Sequence, residues 1–370
     1  MKILLLQPHR FRLELGGKRS PSNRSGVIYK MLINSGHDVT IGTTIESSNY
    51  KTFKNDIKYK LIHEHTKQLH LYDLIVILSG SFNYCFPPNE QFDDKKRCIK
   101  ALLKTDCPVI FVQDEYITTF AGYPSDITPV KRLYENLDNN LKRIDLSLFK
   151  TMNMHKNRKI KILVQCKYPK ELAFLISDKM NLYSELNFEF INWGIQQFAF
   201  KDMILKPSLD TNSIITYIGV MRPNRSRLKL IDSKYTNIYG RWKHHMKYAN
   251  HFNGCKVEDV PSILNKTNAT IWTHDDMFKE MSVETARLYE VVRSGCPLLV
   301  DKTMWKNKED CYLYDIDCFY ETKRELWEKV AQLHKNKQYR NRLVKQQQEA
   351  LVNYINYNNI IHSFNKIITD

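Results

Sequence analysis

The stretch MKILLLQPHRFRLELGGKRSPSNRSGVIYKMLINSGHDVTIGTT, residues 1–44, shows the architecture of the chain in the order of its elements. Its apolar start, Met1–Gln7, predicts a buried strand. A polar loop with glycines follows, then a predicted helix over Ser25–Ser35, and then a second predicted strand in HDVTIGTT. A strand, a loop, a helix and a strand in this order open a doubly wound α/β domain.

Further apolar runs extend this pattern and predict a parallel sheet, because strands covered by helices on both faces are apolar throughout. These runs are LYDLIVILSG at 71–80, CPVIFVQD at 107–114, KIKILVQ at 159–165 and LNFEFINW at 186–193. The alternation then begins again with SIITYIGV at 213–220, NIYG at 237–240, ATIWTHDD at 269–276 and CPLLVD at 296–301. Helices are predicted over VETARLYEVVRSG, 283–295, which ends at a glycine, and over an amphipathic region at 322–354.

The length of 370 residues exceeds what one hydrophobic core usually supports, which is about 250–300 residues. Between the two sets of strands, the proline-containing stretch 200–212 predicts a linker. We therefore predict one Rossmann-like domain over residues 1–199 and a second over 200–354, with a last helix at about 355–370 packing back on the first. Two such doubly wound α/β domains facing a central cleft form the GT-B fold, with ligands at the carboxyl ends of the strands.

The formal net charge of +16 predicts a polyanionic partner, and a basic surface without a partner is the alternative. No apolar run reaches ~18 residues, so we expect no membrane span. The apolar part of the first residues is too short for a signal peptide. The eight cysteines form no C-x-x-C pair and indicate reduced thiols, so we expect a cytoplasmic protein.

Four cations follow the predicted strand at 213–220, namely Arg222, Arg225, Arg227 and Lys229. At the carboxyl end of a strand, guanidinium groups and the first amides of a helix can hold a diphosphate. The density of positive charge favours anion binding over a solvated start of a helix.

Two other groups of residues leave alternatives open. Arg287 and Glu290 are three residues apart on a predicted helix, so they share one face, and the spacing alone favours a surface ion pair over a phosphate-binding and ribose-binding pair. Asp114 and Asp276 each end a predicted strand. A general base at Asp114 and a helix cap or turn aspartate are equally compatible with such a position.

Basic residues also occur in predicted loops at strand ends, some with aromatic neighbours. This combination suits a phosphate backbone and an unstacked base. The candidates for DNA contact are Arg10, Arg12, Lys18, Arg19, Lys243 and His244.

The ordered segments of the chain resemble the DNA β-glucosyltransferases of T-even bacteriophages. That family consists of inverting GT-B enzymes that move glucose from UDP-glucose to 5-hydroxymethylcytosine in duplex DNA. The resemblance extends along most of the chain and rests on the order and spacing of several segments rather than on one motif. The segments are MKILLL, PSNRSGVIYKMLINSGHDV, YDLIVILSGSFN, VIFVQDE, KILVQCKYPKELAFLISDK, FEFINWGIQQF, YIGVMR, ARLYE and LLVD.

The resemblance implies roles for residues around the reacting bond. Asp114 matches the catalytic base, and Arg222 matches the first of two arginines that hold the donor diphosphate. The position of the second arginine is Ser226 here, with Arg225 and Arg227 on either side. One of these two arginines is therefore expected to make the second diphosphate contact.

The resemblance also implies a donor pocket in the second domain. Arg287 and Glu290 match a pair that binds phosphate and ribose, which reverses the preference from spacing alone. Further implied donor residues are Gly219, Gly240 and Asp276. The implied sugar pocket includes Ser22 and Arg24. Arg24 stands where the family has a glutamate, so the transferred sugar is glucose or another sugar such as arabinose.

We therefore expect a glycosyltransferase that uses a UDP-sugar and modifies double-stranded phage DNA at a hydroxymethylated pyrimidine, 5-hydroxymethylcytosine first among them. The expected reaction is an inverting displacement on a flipped-out base, with Asp114 as general base. The first domain would bind DNA and the second the nucleotide sugar. We expect a monomer in the cytoplasm of the infected host cell, whose product protects DNA from nucleases.

Two alternatives and one requirement stay open. The same fold could act on a cell-envelope polysaccharide, or a DNA-binding protein could keep the GT-B scaffold without catalysis. Use of a divalent cation, Mg²⁺ or Mn²⁺, is also open, because the nearest approach to a D-x-D pair is His274-Asp275-Asp276.

Overall fold

The computed structural model describes residues 1–7, 24–43, 59–61, 66–79, 107–113, 159–164, 187–192, 204–219, 226–240, 246–256, 259–273, 285–305, 307–354 and 357–369. The chain divides into two compact units. The first consists of Met1–Leu15, Asn23–Ile195 and Asn358–Asp370, and the second consists of Gly16–Ser22 and Gln196–Tyr357.

The first unit contains a parallel sheet of seven described strands in the order β3-β2-β1-β4-β5-β6-β7. The strands are β1 (Lys2–Gln7), β2 (Asp38–Thr43), β3 (Tyr59–Leu61), β4 (Leu74–Ser79), β5 (Val109–Gln113), β6 (Lys159–Val164) and β7 (Asn187–Asn192). Helix α1 (Arg24–Asn34) connects β1 to β2, and a 3-10 helix (Thr66–Leu71) precedes β4. The first strand is fully buried from Ile3 to Leu6, as its apolar sequence predicts.

The second unit contains a parallel sheet of six described strands in the order β10-β9-β8-β11-β12-β13. The strands are β8 (Ser213–Ile218), β9 (Thr236–Tyr239), β10 (Asn250–Phe252), β11 (Thr267–Trp272), β12 (Leu298–Asp301) and β13 (Phe319–Tyr320). Every residue of β11 and β12 is buried. Both sheets therefore reverse their strand order beside the first strand of the unit, and in doubly wound folds ligands bind at such a point.

The described α-helices of the second unit are α2 (Val260–Asn265), α3 (Ala286–Arg293), α4 (Lys323–Lys335) and α5 (Lys337–Tyr354). Short 3-10 helices span Ser226–Ile231, Lys302–Met304 and Lys308–Asp310. The region predicted as helical over 322–354 is thus two helices. Thr322 caps α4, since its hydroxyl accepts from the Glu325 amide at 3.2 Å. Asn336 separates the two helices in an extended conformation, and its Oδ1 accepts from the Tyr339 amide at 2.9 Å at the start of α5.

Helix α6 (Tyr357–Thr369) contributes to the first unit. Its Asn365 Oδ1 lies 3.2 Å from His37 Nε2, and the backbone oxygen of Ile367 accepts from Lys161 Nζ at 2.7 Å. The last helix therefore packs on the β2 and β6 region of that unit.

The α/β fold predicted from the sequence is confirmed by these two parallel sheets. No helix among the described residues is long and apolar enough to cross a membrane. Cys296, Cys311 and Cys318 of the second unit are fully buried, and burial raises the pKa of Cys318 to about 12. Such a thiol stays protonated and unreactive near neutral pH.

Gly295 ends α3 in the left-handed region, with a φ of 72°. A Cβ there would lie 2.8 Å from both the backbone oxygen of Leu205 and Asn265 Nδ2. We expect Gly295→Ala to lower the free energy of unfolding of the second unit by about 2–4 kcal/mol, from left-handed strain and overpacking together. Denaturant titration of the full-length protein measures this loss.

The matched control is Gly36→Ala, since Gly36 has a φ of 79° and open space where its Cβ would be. We expect this change to cost only the strain of about 1–2 kcal/mol in the first unit. Equal losses at the two glycines would show that the contacts around Gly295 are loose.

Candidate functional site

The carboxyl ends of β8 and β9 are each followed by a glycine whose amide continues the sheet. The amide of Gly219 donates to the backbone oxygen of Tyr239 at 2.9 Å, and that of Gly240 donates to Phe252 at 3.2 Å. Gly240 has a φ of 143°, a backbone angle that residues other than glycine rarely adopt. Both predicted donor glycines therefore lie at the edge of the sheet where a doubly wound domain binds its ligand.

The amino end of α3 lies at this same edge, because the helix connects β11 to the neighbouring β12. Thr285 is its N-cap residue, but the Thr285 side chain makes no capping hydrogen bond. Its hydroxyl instead accepts from Trp272 Nε1 at 3.1 Å, and the Trp272 ring stacks on Trp305 with centroids 5.1 Å apart. The first amides of α3 therefore receive no hydrogen bond acceptor from the Thr285 side chain. Together with the partial positive charge of the helix amino end, these amides suit an anion.

Arg287 and Glu290 lie in the first turns of α3 as an ion pair. Arg287 Nη1 is 3.2 Å from Glu290 Oε2, and the two side chains are 25% and 18% exposed. Nη1 is nevertheless buried without a hydrogen bond to any described residue, so the pair is held by charge and not by a directed bond. A buried guanidinium nitrogen without an acceptor is costly, and an anionic ligand at the α3 amino end would supply that acceptor.

Cys255, in the loop after β10, lies within electrostatic reach of this pair. Burial raises the pKa of the Cys255 thiol, the carboxylates of Asp259 and Glu290 raise it further, and Arg287 opposes them. Helix α2, which follows this loop, also contacts α3. The loop after β10 is thus part of the surroundings of the Arg287–Glu290 pair.

Arg227 is held by a buried carboxylate at the end of β12. Its Nε and Nη2 donate to the two carboxylate oxygens of Asp301 at 2.7 and 2.9 Å. This bond to Asp301 raises the pKa of Arg227. Asp301 is fully buried and also accepts from the amide and the hydroxyl of Thr303 at 3.1 and 2.7 Å. The pair therefore fixes the 3-10 helix that follows Arg222 and Arg225 in the chain.

We expect Asp301→Asn to lower the free energy of unfolding of the second unit by about 3 kcal/mol, because it leaves a partly buried guanidinium without its charge partner. The control is Glu328→Gln, which breaks the exposed ion pair between Arg324 and Glu328. That change should cost about 0.5 kcal/mol or less. Denaturant titration compares the two variants, and similar losses would contradict a structural role for Asp301.

Several predicted site residues lie outside the described residues. They are Asp114, Arg222, Arg225, Asp276, Ser22, Arg10, Arg12, Lys18, Arg19, Lys243 and His244. The backbone of Arg24 begins α1, but its side chain is not among those described. The structure brings Gly219, Gly240 and the Arg287–Glu290 pair to one end of one sheet, and it gives Arg227 a carboxylate partner.

The sequence did not single out three residues of this region: Thr285, Trp272 and Asp301. An aspartate at the end of a strand, followed two residues later by a threonine, was the available signal for Asp301. The hydrogen bond between Trp272 and Thr285 joins residues that are 13 positions apart in the sequence, and no local sequence pattern predicts it. Among the described residues, no group of three or more side chains is arranged to hold a metal ion.

Residues 223–366 match a protein family described as glycosyl transferase-like. No curated protein sequence matches the chain. The family match confirms the expected enzyme class, a glycosyltransferase. Similarity to solved GT-B structures over the whole chain confirms the fold.

Solved structures then give the particular resemblance. The β-glucosyltransferase of T4 phage, in complex with its substrate UDP-glucose, is similar over 100% of this chain and 99% of its own, with a TM-score of 0.66 and 15% identity. That phage enzyme is also known in complex with UDP and Mn²⁺. An α-glucosyltransferase in complex with UDP and a 13-mer DNA containing an HMU base covers 100% of both chains, with a TM-score of 0.58 and 10% identity.

A third structure of this fold is the Anabaena protein HepE in complex with UDP-glucose. It is similar over 100% of this chain and 99% of its own, with a TM-score of 0.52 and 11% identity. The distant resemblance to phage DNA glucosyltransferases, which the order of sequence segments predicted, is thus confirmed at the level of the fold.

Proposed function

We propose that this protein transfers a sugar from a UDP-sugar to the hydroxymethyl group of a modified pyrimidine in phage DNA, with 5-hydroxymethylcytosine as the preferred base. One observation carries the donor half of this proposal. Arg287 has a buried nitrogen without a hydrogen bond to a described residue, and it lies at the amino end of α3, where Thr285 gives no cap.

The donor diphosphate binds at the amino end of α3 and is held by Arg287, with Arg222 and Arg225 from the segment after β8. We assign the second diphosphate contact to Arg225 rather than to Arg227, because Asp301 already accepts from two nitrogens of Arg227. Arg227 then acts as a positioning residue that fixes the segment after the two arginines. Glu290 accepts from the ribose hydroxyls, Gly219 and Gly240 let the nucleotide approach the backbone, and Asp276, which follows β11, lies on the sugar side.

The acceptor is activated by Asp114, which follows β5 at the carboxyl edge of the first sheet. Its carboxylate takes the proton from the hydroxymethyl oxygen while that oxygen bonds to the anomeric carbon. The bond from that carbon to UDP breaks on the opposite side, so the configuration inverts. The arginines stabilise the charge that grows on UDP.

Double-stranded DNA is the proposed polymer. The net charge of +16 supports a polyanion, and structures of this fold include a phage β-glucosyltransferase and an α-glucosyltransferase bound to DNA. The proposed DNA contacts are Arg10, Arg12, Lys18, Arg19, Lys243 and His244. The target base leaves the stack to reach Asp114, at a cost of a few kcal/mol. Arg24 and Ser22 select the sugar, which is glucose or a sugar such as arabinose.

A divalent cation would neutralise part of the charge on the leaving diphosphate. The segment His274-Asp275-Asp276 is the nearest candidate for its ligands.

Binding of UDP tests the donor half. A ligand held by the native state alone raises the melting temperature, by an amount that corresponds to about 2.7 kcal/mol at a concentration of 100 Kd. We expect UDP to stabilise the protein and UMP, which lacks the second phosphate, to do so much less. A protein that binds DNA but not UDP would be a non-catalytic member of this fold.

Competition tests the acceptor half. We expect duplex DNA with 5-hydroxymethylcytosine to accept label from a UDP-sugar and unmodified duplex to inhibit that transfer. An enzyme that instead labels a cell-envelope polysaccharide, with no inhibition by duplex DNA, would refute the DNA acceptor while keeping the glycosyltransferase.

A further inference from the structure

A four-residue motif occurs twice in the second sheet, at the amino ends of two neighbouring strands. KYTN (Lys234–Asn237) leads into β9 and KYAN (Lys247–Asn250) leads into β10. The two strands are parallel neighbours, and Asn250 is paired with Asn237. The two motifs therefore enter the sheet at the same level, with their chains about 4.8 Å apart.

Hydrogen bonds fix the two motifs to each other. Asp232 accepts from the amides of Lys247, Tyr248 and Ala249 at 3.0, 2.9 and 3.1 Å. The side-chain nitrogen of Asn250 donates to the backbone oxygen of Lys234 at 3.1 Å and to Asn237 Oδ1 at 3.2 Å. The nearby carboxylate of Asp232 is therefore occupied by backbone amides, and the pair of motifs is preorganised.

Each motif presents an exposed tyrosine with an ammonium group over its ring. Tyr235 and Tyr248 are 50% and 60% exposed. Lys234 Nζ lies 5.2 Å from the Tyr235 ring centroid, and Lys247 Nζ lies 5.3 Å from that of Tyr248. Neither lysine forms an ion pair with a carboxylate in the part of the chain that the structure describes. Both ammonium groups thus lie over rings and have no carboxylate partner among the described residues.

We propose that Lys234, Tyr235, Lys247 and Tyr248, the twin Lys–Tyr surface, bind the phosphate backbone of DNA outside the donor site. A repeated cation suits a polymer with a repeated anion, and ammonium and tyrosine hydroxyl groups both donate to phosphate oxygens. The surface lies at the amino ends of β9 and β10, whereas Gly240 and α3 mark the carboxyl edge. The four residues of β9 separate the two edges by about 13 Å. The twin Lys–Tyr surface is therefore a tether for the DNA polymer and not part of the donor site.

The choice of DNA as the polymer rests on the proposed function. The test is equilibrium binding of a long duplex by full-length protein at several salt concentrations. Each phosphate contact contributes about 0.9 to the slope of log K against log salt. We expect Lys234→Ala with Lys247→Ala to reduce that slope by about 2. Between about 50 and 200 mM salt, the wild type should then lose roughly tenfold more affinity than the variant.

The matched control is Lys323→Ala with Lys345→Ala, which removes the same charge from two exposed helix positions. We expect it to leave the slope within about 0.5 of the wild type, since the slope depends on the number of phosphate contacts rather than on the total charge of the protein. Tyr235→Phe with Tyr248→Phe should weaken binding without changing the slope, and the KM for the UDP-sugar should not change in any of these variants. Lys234→Gln with Lys247→Gln repeats the test with side chains of similar length.

Suppose that the wild type binds DNA and transfers sugar, and that the alanine and glutamine variants of Lys234 and Lys247 keep its slope. That result would overturn the tether and leave the proposed function intact. A wild-type protein that neither binds duplex DNA nor modifies it would overturn both. Equal loss of slope in the test and control pairs would show a general charge effect and would also overturn the tether.

Discussion

Asp114→Asn is expected to lower the rate of sugar transfer by about 10²–10⁴-fold, the usual contribution of a positioned general base. The change preserves the size of the side chain but removes its capacity to take a proton. Binding of the UDP-sugar should be unaffected, because the proposed role of Asp114 concerns the acceptor oxygen alone. Single-turnover transfer to hydroxymethylated duplex DNA measures the rate, and calorimetry measures donor binding.

The neighbouring acid Glu115 gives the matched control for this prediction. Glu115→Gln makes the same chemical change one residue further along the chain and should retain the wild-type rate within a few-fold. Full activity of Asp114→Asn would remove Asp114 from the mechanism. A loss of UDP-sugar binding in the same variant would point to a structural role instead, as for an aspartate that caps a turn.

Arg287→Ala is expected to lower the rate of transfer by about 10²–10³-fold, as removal of one group that stabilises transition-state charge does elsewhere. The affinity for UDP should fall as well, because the diphosphate is present before and after the reaction. Arg287→Lys should recover only part of both losses, since an ammonium cannot reproduce the planar fork of a guanidinium. Transfer rates and calorimetry with UDP measure the two effects.

The competing interpretation of Arg287 is an ion pair with Glu290 that only supports the helix. In that case Arg287→Ala would cost a few tenths of a kcal/mol of stability and leave UDP binding unchanged. Arg324→Ala provides the comparison, because Arg324 pairs with Glu328 four residues on and is 88% exposed. If the two arginine variants bound UDP equally well, the donor site would not be at the start of α3.

The long buried strands of both units were predictable because their apolar runs are continuous, as strands covered on both faces must be. The short strands β3, β10 and β13 were not, since two or three residues contain no periodicity and depend on a neighbouring strand. The break between α4 and α5 was also missed. It depends on the conformation of Asn336, within a sequence that is otherwise continuously amphipathic.

The candidate site was predictable in its residue types and less so in its connections. Spacing placed Arg287 and Glu290 on one face, and the structure shows them as an ion pair at 3.2 Å. Spacing did not reveal that Trp272 takes the hydroxyl of Thr285 away from the cap, or that Arg227 binds Asp301 at the end of β12. Both contacts join residues that are distant in the sequence, so only the packed sheet brings them together.

The central claim is that this protein attaches a sugar to a hydroxymethylated pyrimidine in DNA. The most direct test is mass spectrometry of nucleosides from duplex DNA containing 5-hydroxymethylcytosine, after incubation with the protein and a set of UDP-sugars. We predict loss of the 5-hydroxymethylcytosine nucleoside and a new nucleoside heavier by the mass of one hexose or pentose residue. Unchanged nucleosides with every UDP-sugar, in a preparation that binds UDP, would contradict the claim.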